Sequence, residues 1–535
     1  MKTHVFSVAV IGILLALAPA ESQSEPLGLQ LIGRSSIPGA EIIAYDAASN
    51  MAFVSAIDRI AMAHVGDGDL AFVRWIDPGA LLPDIELRIN HVATDPLNRG
   101  VGVAAVSPSD AASQPGWVVF FSTRTGAVMH QLVVGHLPDA VVFTPDGGQL
   151  VVANEGEASP RVRAMDPPGS ISVISLDGIN SIADVKTLSA ANVQTVYFVG
   201  DALEKATASL DPAPSLRIHP ERRSAPSMDI EPESIAIADD VAYITLQENN
   251  GVAALDLETL EWRYMRALRP IRQRLDASDR DGGVHIDTTI DALPMPDMLT
   301  SYAFNGEVYL VTANEGDSRE GLFEDYARLS ALGKSNRLDQ AVLDAVDLSD
   351  SKLGRLKVCA FTGDTDGDGD IDAPHVLGAR NLAVWRASDL ELVAHTSASF
   401  EELMAQRGGV AFNANNDAPE DTDARSDDRG PEPEGIVVGP CGDATVAFVG
   451  LERPGAIAMV DVSDPFAISV VDLIVTTPWG LRGPEGMCFL PAAQSPTGRP
   501  LLLVAFETSG DVAAFEVTQP RISSSQPTVA RDPRR

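Results

Sequence analysis

"PESIAIADDVAYITLQENNGVAALDL", residues 232–257, is the stretch on which the fold turns. An acidic residue after Pro opens a short alternating run, and Asp239-Asp240 make a turn. A second, strongly apolar run ends near Glu248, and Gly251 leads into a third. Period-2 alternation, β-branched residues and Gly/Asp/Asn turns mark antiparallel strands.

The same unit recurs along the chain. It reads "PDAVVFTPDGGQLVVANEGE" from Pro138, "PDMLTSYAFNGEVYLVTANEGD" from Pro296, "PEGIVVGPCGDATVAFVGLERPGAIAMVDV" from Pro433 and "PEGMCFLPAAQSPTGRPLLLVAFETSGDVAAFEV" from Pro484. Two weaker copies begin at Ala40 and Asn90, which makes seven. Glu41 to Asn90 and Asn90 to Asp139 are both 49 residues, and Glu434 to Glu485 is 51. Units of about 40–50 residues, each a small antiparallel sheet, predict radial stacking, because one such sheet cannot bury both faces alone. The expected fold is all-β, a seven-bladed β-propeller with loop and helix insertions; two stacked all-β domains are the competing arrangement. The early strand "LGLQLIG", residues 27–33, is expected to close the ring against the last blade.

The propeller is expected to span 21–520. Insertions fall at about 180–228, with some helix, and at 317–380, with a helix near Leu338 to Val346. A third, 412–432, is so polar that a compact core is not expected there. Residues 521–535 read as a disordered tail. At the other end Lys2, the apolar run Val5 to Leu17 and Ala18-Pro19-Ala20 read as a signal peptide, residues 1–20, which predicts a secreted or periplasmic protein. No later stretch is long and apolar enough for a membrane anchor.

The net charge of -36 argues against a nucleic-acid partner and for divalent cations. Five aspartates alternate in "FTGDTDGDGDID", residues 361–372: Asp364, Asp366, Asp368, Asp370 and Asp372. Carboxylates at that spacing can wrap Ca²⁺, with Gly369 at the sharp turn. Asp370 falls where a backbone carbonyl ligates, and His375 stands where an EF-hand places its bidentate Glu, so the loop is not a complete EF-hand. An exposed acidic turn is the plainer alternative.

A second acidic set belongs to the repeat. Asp139, Glu233, Asp297, Glu434 and Glu485 open first strands; Glu155, Glu248, Glu315, Glu452 and Glu507 stand where second strands end. In a propeller these positions gather around one channel mouth. Such a ring would hold a cation or substrate, with Asn154, Asn249 and Asn314 as oxygen donors and Arg319, Arg453 or Arg482 as charge partners. Alternatively, the carboxylates bond backbone amides between blades, with arginines neutralising them. The catalytic residues are unknown: the histidines show no metal-binding spacing, and "GDSRE", residues 316–320, is no nucleophile elbow. Cys359, Cys441 and Cys488 form no disulfide framework.

"ANEGE", "DIEPESIAI", "ITLQENNGVAALDL", "TANEGDSRE", "GDTDGDGDID", "GPEPEGIVVG", "FVGLERPGAIAMVDVSDP" and "GPEGMCFLP" together resemble the choice-of-anchor I family, from about residue 27 to 518. That family includes mesenchyme-specific surface glycoproteins associated with biomineralised skeletons. The resemblance implies a YVTN/WD40-like propeller outside the cell, associated with calcium and mineral. Many bacterial members end in a sorting segment; none follows Val517, which implies secretion or periplasmic retention. The expected function is a non-enzymatic calcium-binding role toward extracellular matrix, mineral or a cell-surface component. The alternative is a metal-dependent phosphatase or esterase working at the channel mouth.

Overall fold

Two faces of one strand explain the architecture. In Val241–Leu246 every residue is buried, yet Val241 and Tyr243 pack toward one neighbouring sheet while Ala242, Ile244 and Leu246 pack toward the other. A strand whose alternate residues are all apolar needs cover on both sides, and stacked sheets provide it. The computed structural model describes residues 27–518, apart from 160, 161, 163, 164, 209–214, 320–322 and 408–410. The expected signal peptide and tail lie outside the described residues.

Among the described residues there are eight sheets, seven of them four-stranded. The seven are opened by Ala40–Asp46, Leu87–Thr94, Pro138–Phe143, Ile235–Ala238, Leu299–Phe304, Pro433–Cys441 and Pro484–Leu490. They are called the first to seventh sheets below. Their opening strands touch in that order, and the seventh touches the first. Seven apolar clusters fill the gaps between neighbouring sheets, and one of them also takes in a further, five-stranded sheet. The protein is an all-β propeller with short helices. Gly28–Ser36 pairs antiparallel with Asp511–Thr518 as the outer strand of the seventh sheet, so both ends of the described chain close one blade.

The inner strands approach closely where the repeat reads Pro-Glu-Gly. A Cβ on Gly435 would lie 1.7 Å from the Glu485 carbonyl oxygen, and one on Gly486 would lie 2.4 Å from that of Glu41. Only glycine leaves room for the neighbouring backbone there. The pairing register shifts at the same places, between Pro433 and Ile436, Pro484 and Met487, and Ala40 and Ile43. A bulge turns the strand locally and re-aims its side chains, here the acidic residue that opens each unit.

The eighth sheet has five strands and was not expected from the sequence. Its order is Ile271–Leu275, Thr288–Leu293, His375–Leu377, Lys357–Cys359 and Tyr326–Arg328, with the second and third strands parallel. It is built largely from the 317–380 insertion and shares its core with the fourth and fifth sheets. The helix expected near Leu338–Val346 covers Gln340–Ala345, and Leu338 instead bridges Ile371; a further helix occupies Leu329–Lys334. Within 180–228, Val193–Tyr197 is the outer strand of the third sheet, followed by the helix Asp201–Thr207.

Candidate functional site: an acidic channel mouth and an acidic hairpin

The acidic residues that open the units face one another. The charges of Glu248, Asp297, Glu155 and Asp139 all act on Glu233; those of Glu452, Glu485, Glu315 and Asp297 act on Glu434; those of Glu41, Glu507, Asp297 and Glu452 act on Glu485. Burial comes first and neighbouring carboxylates next in pushing Glu155, Glu233, Glu434 and Glu485 well above the usual carboxylate range, and burial raises Glu315 likewise against the opposing pull of Arg429. Burial likewise raises Asp139 to about 6, Asp297 and Glu452 to about 7 and Glu248 to about 8. Glu41, the first sheet's counterpart, reaches about 7 for the same reason. Asn90 takes this position in the second sheet and donates to Ser107 Oγ and the Pro138 carbonyl.

Among the described residues, Glu315 and Glu452 have arginine partners of the kind the alternative reading expected, Arg429 and Arg453. Buried Oε2 atoms of Glu233, Glu248, Glu434 and Glu485 have no partner. Inter-blade bonds run elsewhere: Thr245 Oγ1 donates to the Asp297 carbonyl at 2.9 Å, and Gln247 Nε2 to Glu315 Oε2 at 2.8 Å. Asn154, Asn249 and Asn314 are not channel donors. Each is fully buried and bonded within or beside its own sheet, Asn154 for example accepting from Gly135 N and donating to Ser172. Their short polar side chains satisfy strand ends that water does not reach.

The polar segment 412–432 packs over this rim rather than standing in solvent. Phe412, Asn413, Ala414, Ser426 and Glu432 are all buried. Glu432 bonds Arg425 at 2.7 Å and Arg453 at 2.8 Å; burial alone would raise its pKa, but Arg429, Arg425 and Arg453 outweigh it and hold it at about 2. Arg429 pairs with Glu315 at 2.9 Å and Asp317 at 2.8 Å. Of the three arginines singled out from the sequence, Arg453 pairs with Glu452 at 3.1 Å. Arg319 pairs with Glu231 at 2.5 Å, and Arg482 donates to the Asp417 carbonyl and, among the described residues, pairs with no ring carboxylate. Glu231, Glu432, Arg425 and Arg429 were missed; for the last three the mixed-charge run "DARSDDRGPEPEG", residues 423–435, was the available signal.

Glu315, Glu434 and Glu452 each offer an oxygen within 4.8 Å of the others. Glu507 is exposed. Toward the third and fourth sheets, Glu155, Glu157, Glu231, Glu233, Glu248 and Asp317 line a cavity of about 530 Å³ that Arg319 and Arg429 also reach.

The aspartate run connects Lys357–Cys359 to His375–Leu377 on the eighth sheet. Ile371 is buried and anchors it. Asp364 accepts from Gly367 N at 2.7 Å and Gly369 N at 3.1 Å, bending the chain around its carboxylate, and Gly367 and Gly369 both have positive φ. Thr365 donates through N at 2.6 Å and Oγ1 at 2.9 Å to Asp372, and these bonds hold the Asp372 pKa low. Asp364, Asp366 and Asp372 converge to within 4.8 Å; Asp370 converges instead with Asp339 and Asp372, and Asp368 joins neither group. His375 Nδ1 lies 3.0 Å from Thr362 Oγ1, and His375 belongs to neither converging group. Three carboxylate oxygens this close could hold a hard divalent cation such as Ca²⁺.

The fold and rim define a propeller with a carboxylate-lined channel mouth and a separate acidic hairpin. The chain belongs to the choice-of-anchor I domain family, whose pattern matches residues 41–465. Domains of this family are associated with cell-surface and secreted proteins. The chain is 30% identical over 204 residues to Gigasin-3a of Magallana gigas, covering 33% of this chain and 72% of that protein. Among solved structures it is similar to Kuenenia stuttgartiensis hydrazine synthase, with TM-score 0.46 and 11% identity over 90% of this chain and 96% of that one. It is also similar to the Myceliophteria thermophila Cps50 (Swd1) β-propeller domain, with TM-score 0.44 and 8% identity over 92% and 100%. No helix among the described residues is long and apolar enough to cross a membrane.

Proposed function

We propose that this protein is an exported, non-enzymatic calcium-binding propeller that attaches to extracellular matrix, calcium-containing mineral or another cell-surface component. The observation that carries this reading is the convergence of Asp364, Asp366 and Asp372 on one exposed hairpin. A hard cation neutralises three carboxylates that otherwise repel, and its open coordination sites can accept an anionic partner. Family membership supports the location outside the cell. The test is retention of the purified protein on matrix-coated and calcium-mineral surfaces. Retention in Ca²⁺ that is released by a chelator and lost in Asp364→Asn/Asp372→Asn supports the reading; retention indifferent to both contradicts it.

One observation favours a second reading, a metal-dependent hydrolase of phosphate or other esters: the convergence of Glu315, Glu434 and Glu452 at the channel mouth. A cation held there would polarise a phosphoryl oxygen and activate water. Metal-dependent release of p-nitrophenol from its phosphate ester, abolished by Glu434→Gln, would establish it; a flat screen across esters would remove it.

A further inference from the structure

The segment "RYMRALRPIRQR", residues 263–274, carries five arginines and no acidic residue, in a chain with 39 basic and 75 acidic residues. It supplies most of the outer strand of the fourth sheet, Trp262–Ala267, and the edge strand Ile271–Leu275 of the five-stranded sheet, and all five arginines are exposed. Among the described residues Arg263 pairs with Asp256, Arg272 with Asp291 and Arg274 with Glu402, whereas Arg266 and Arg269 have no ion pair. With Lys205 of the helix Asp201–Thr207, those two line a cleft of about 590 Å³ beside the strand. Arg263, Tyr264 and Arg266 also border a second cleft of about 430 Å³ toward the fifth sheet. The Arg266 guanidinium lies 4.9 Å from the centroid of the Tyr264 ring, a contact that steadies the side chain without using its N–H donors.

We infer that this basic cleft binds a sulfated polysaccharide, with sulfate esters on Arg266, Arg269 and Lys205. Four cations line it against Asp201 and Asp389, and Arg386 already holds Asp389 at 3.0 Å. The local excess decides the sign of the ligand. At physiological salt the screening length is about 8 Å, so the acidic remainder of the surface acts only weakly there. The cations follow a six-residue strand, about 20 Å long, instead of surrounding one point, which suits a linear polymer better than a single small anion. A guanidinium is more weakly hydrated than an ammonium and suits the diffuse charge of a sulfate ester. Nucleic-acid bases need open aromatic platforms, whereas Trp262 is stacked on Phe198 at 4.6 Å and donates through Nε1 to the Tyr197 carbonyl. The choice of a polysaccharide rests on the exported location proposed above; the cleft itself needs no calcium and is separate from the hairpin.

The test is surface plasmon resonance of the full chain over heparin, hyaluronate, single-stranded DNA and phosphatidylserine vesicles, at about 150 mM NaCl with EDTA present. Saturable heparin binding is expected, weakened about tenfold or more in Arg266→Gln/Arg269→Gln with the melting temperature unchanged. Arg124→Gln/Lys334→Gln, which removes the same charge from exposed positions outside the cleft, should weaken it less than about threefold. Hyaluronate, whose anions are carboxylates only, should bind at least about tenfold more weakly than heparin. No heparin binding, binding that survives the cleft variant or falls equally in the control, or hyaluronate, DNA or vesicles bound as tightly as heparin would each overturn the inference. Because calcium is chelated throughout, failure of the hairpin reading leaves this result untouched.

Discussion

Arg429 Nη1 lies 2.9 Å from Glu315 Oε1, tying the polar segment 412–432 to the rim of the channel. Both side chains are largely buried, so the pair is shielded from water and salt. Arg429 Nη2 also lies 3.6 Å from Glu432, which stays ionised, so Arg429→Met strands that buried charge and should lower unfolding free energy by about 3 kcal/mol in urea titrations. The exposed pair of Arg263 with Asp256 provides the contrast. Arg263→Met should cost less than about 1 kcal/mol.

Gly486 tests the ring closure. Its missing Cβ accommodates the Glu41 carbonyl at 2.4 Å and Ile42 Cα at 2.6 Å, where the seventh sheet meets the first. Gly486→Ala forces two inner strands apart and should cost about 1–3 kcal/mol by thermal unfolding. Gly68 lies in a surface turn at positive φ, where an added Cβ would meet open space. Gly68→Asn, a residue that tolerates that conformation, should cost little.

The rim carboxylates set the pH dependence of stability. Glu41, Asp139, Glu248, Asp297 and Glu452 keep their protons to between about 6 and about 8 in the native protein, whereas the unfolded chain releases them near the ordinary carboxylate values. Across that window the native state binds more protons, so its stability is greatest below it and declines as pH rises. Glu432, held at about 2, works the opposite way and loses its contribution as pH falls toward that value. In chelator-treated protein the melting temperature should be several degrees higher at pH 5 than at pH 8. A higher value at pH 8 would contradict the assignment.

The blades were legible because their signals are local. Alternation in "VAYITL", residues 241–246, and the acid after Pro at 233, 297, 434 and 485 announce strands and their inner ends without knowledge of the partner. The eighth sheet was not, because Tyr326–Arg328, Lys357–Cys359 and His375–Leu377 are three residues each, too short for any periodicity. Segment 412–432 misled for a different reason. Its polarity signals exposure only while its charges lack partners, and Arg425, Arg429 and Asp428 find theirs partly in distant residues such as Glu315 and Lys357. The hairpin's aspartates were visible as a set, but their division was not: turn geometry separates Asp368 from Asp364, Asp366 and Asp372.

Calcium calorimetry on the full chain addresses the central claim most directly. The account predicts saturable binding at the hairpin that disappears in Asp364→Asn/Asp372→Asn, while Asp368→Asn retains affinity within about tenfold, because Asp368 stands outside the converging group. No calcium binding by the wild-type protein, or binding unchanged in the double variant, would contradict it.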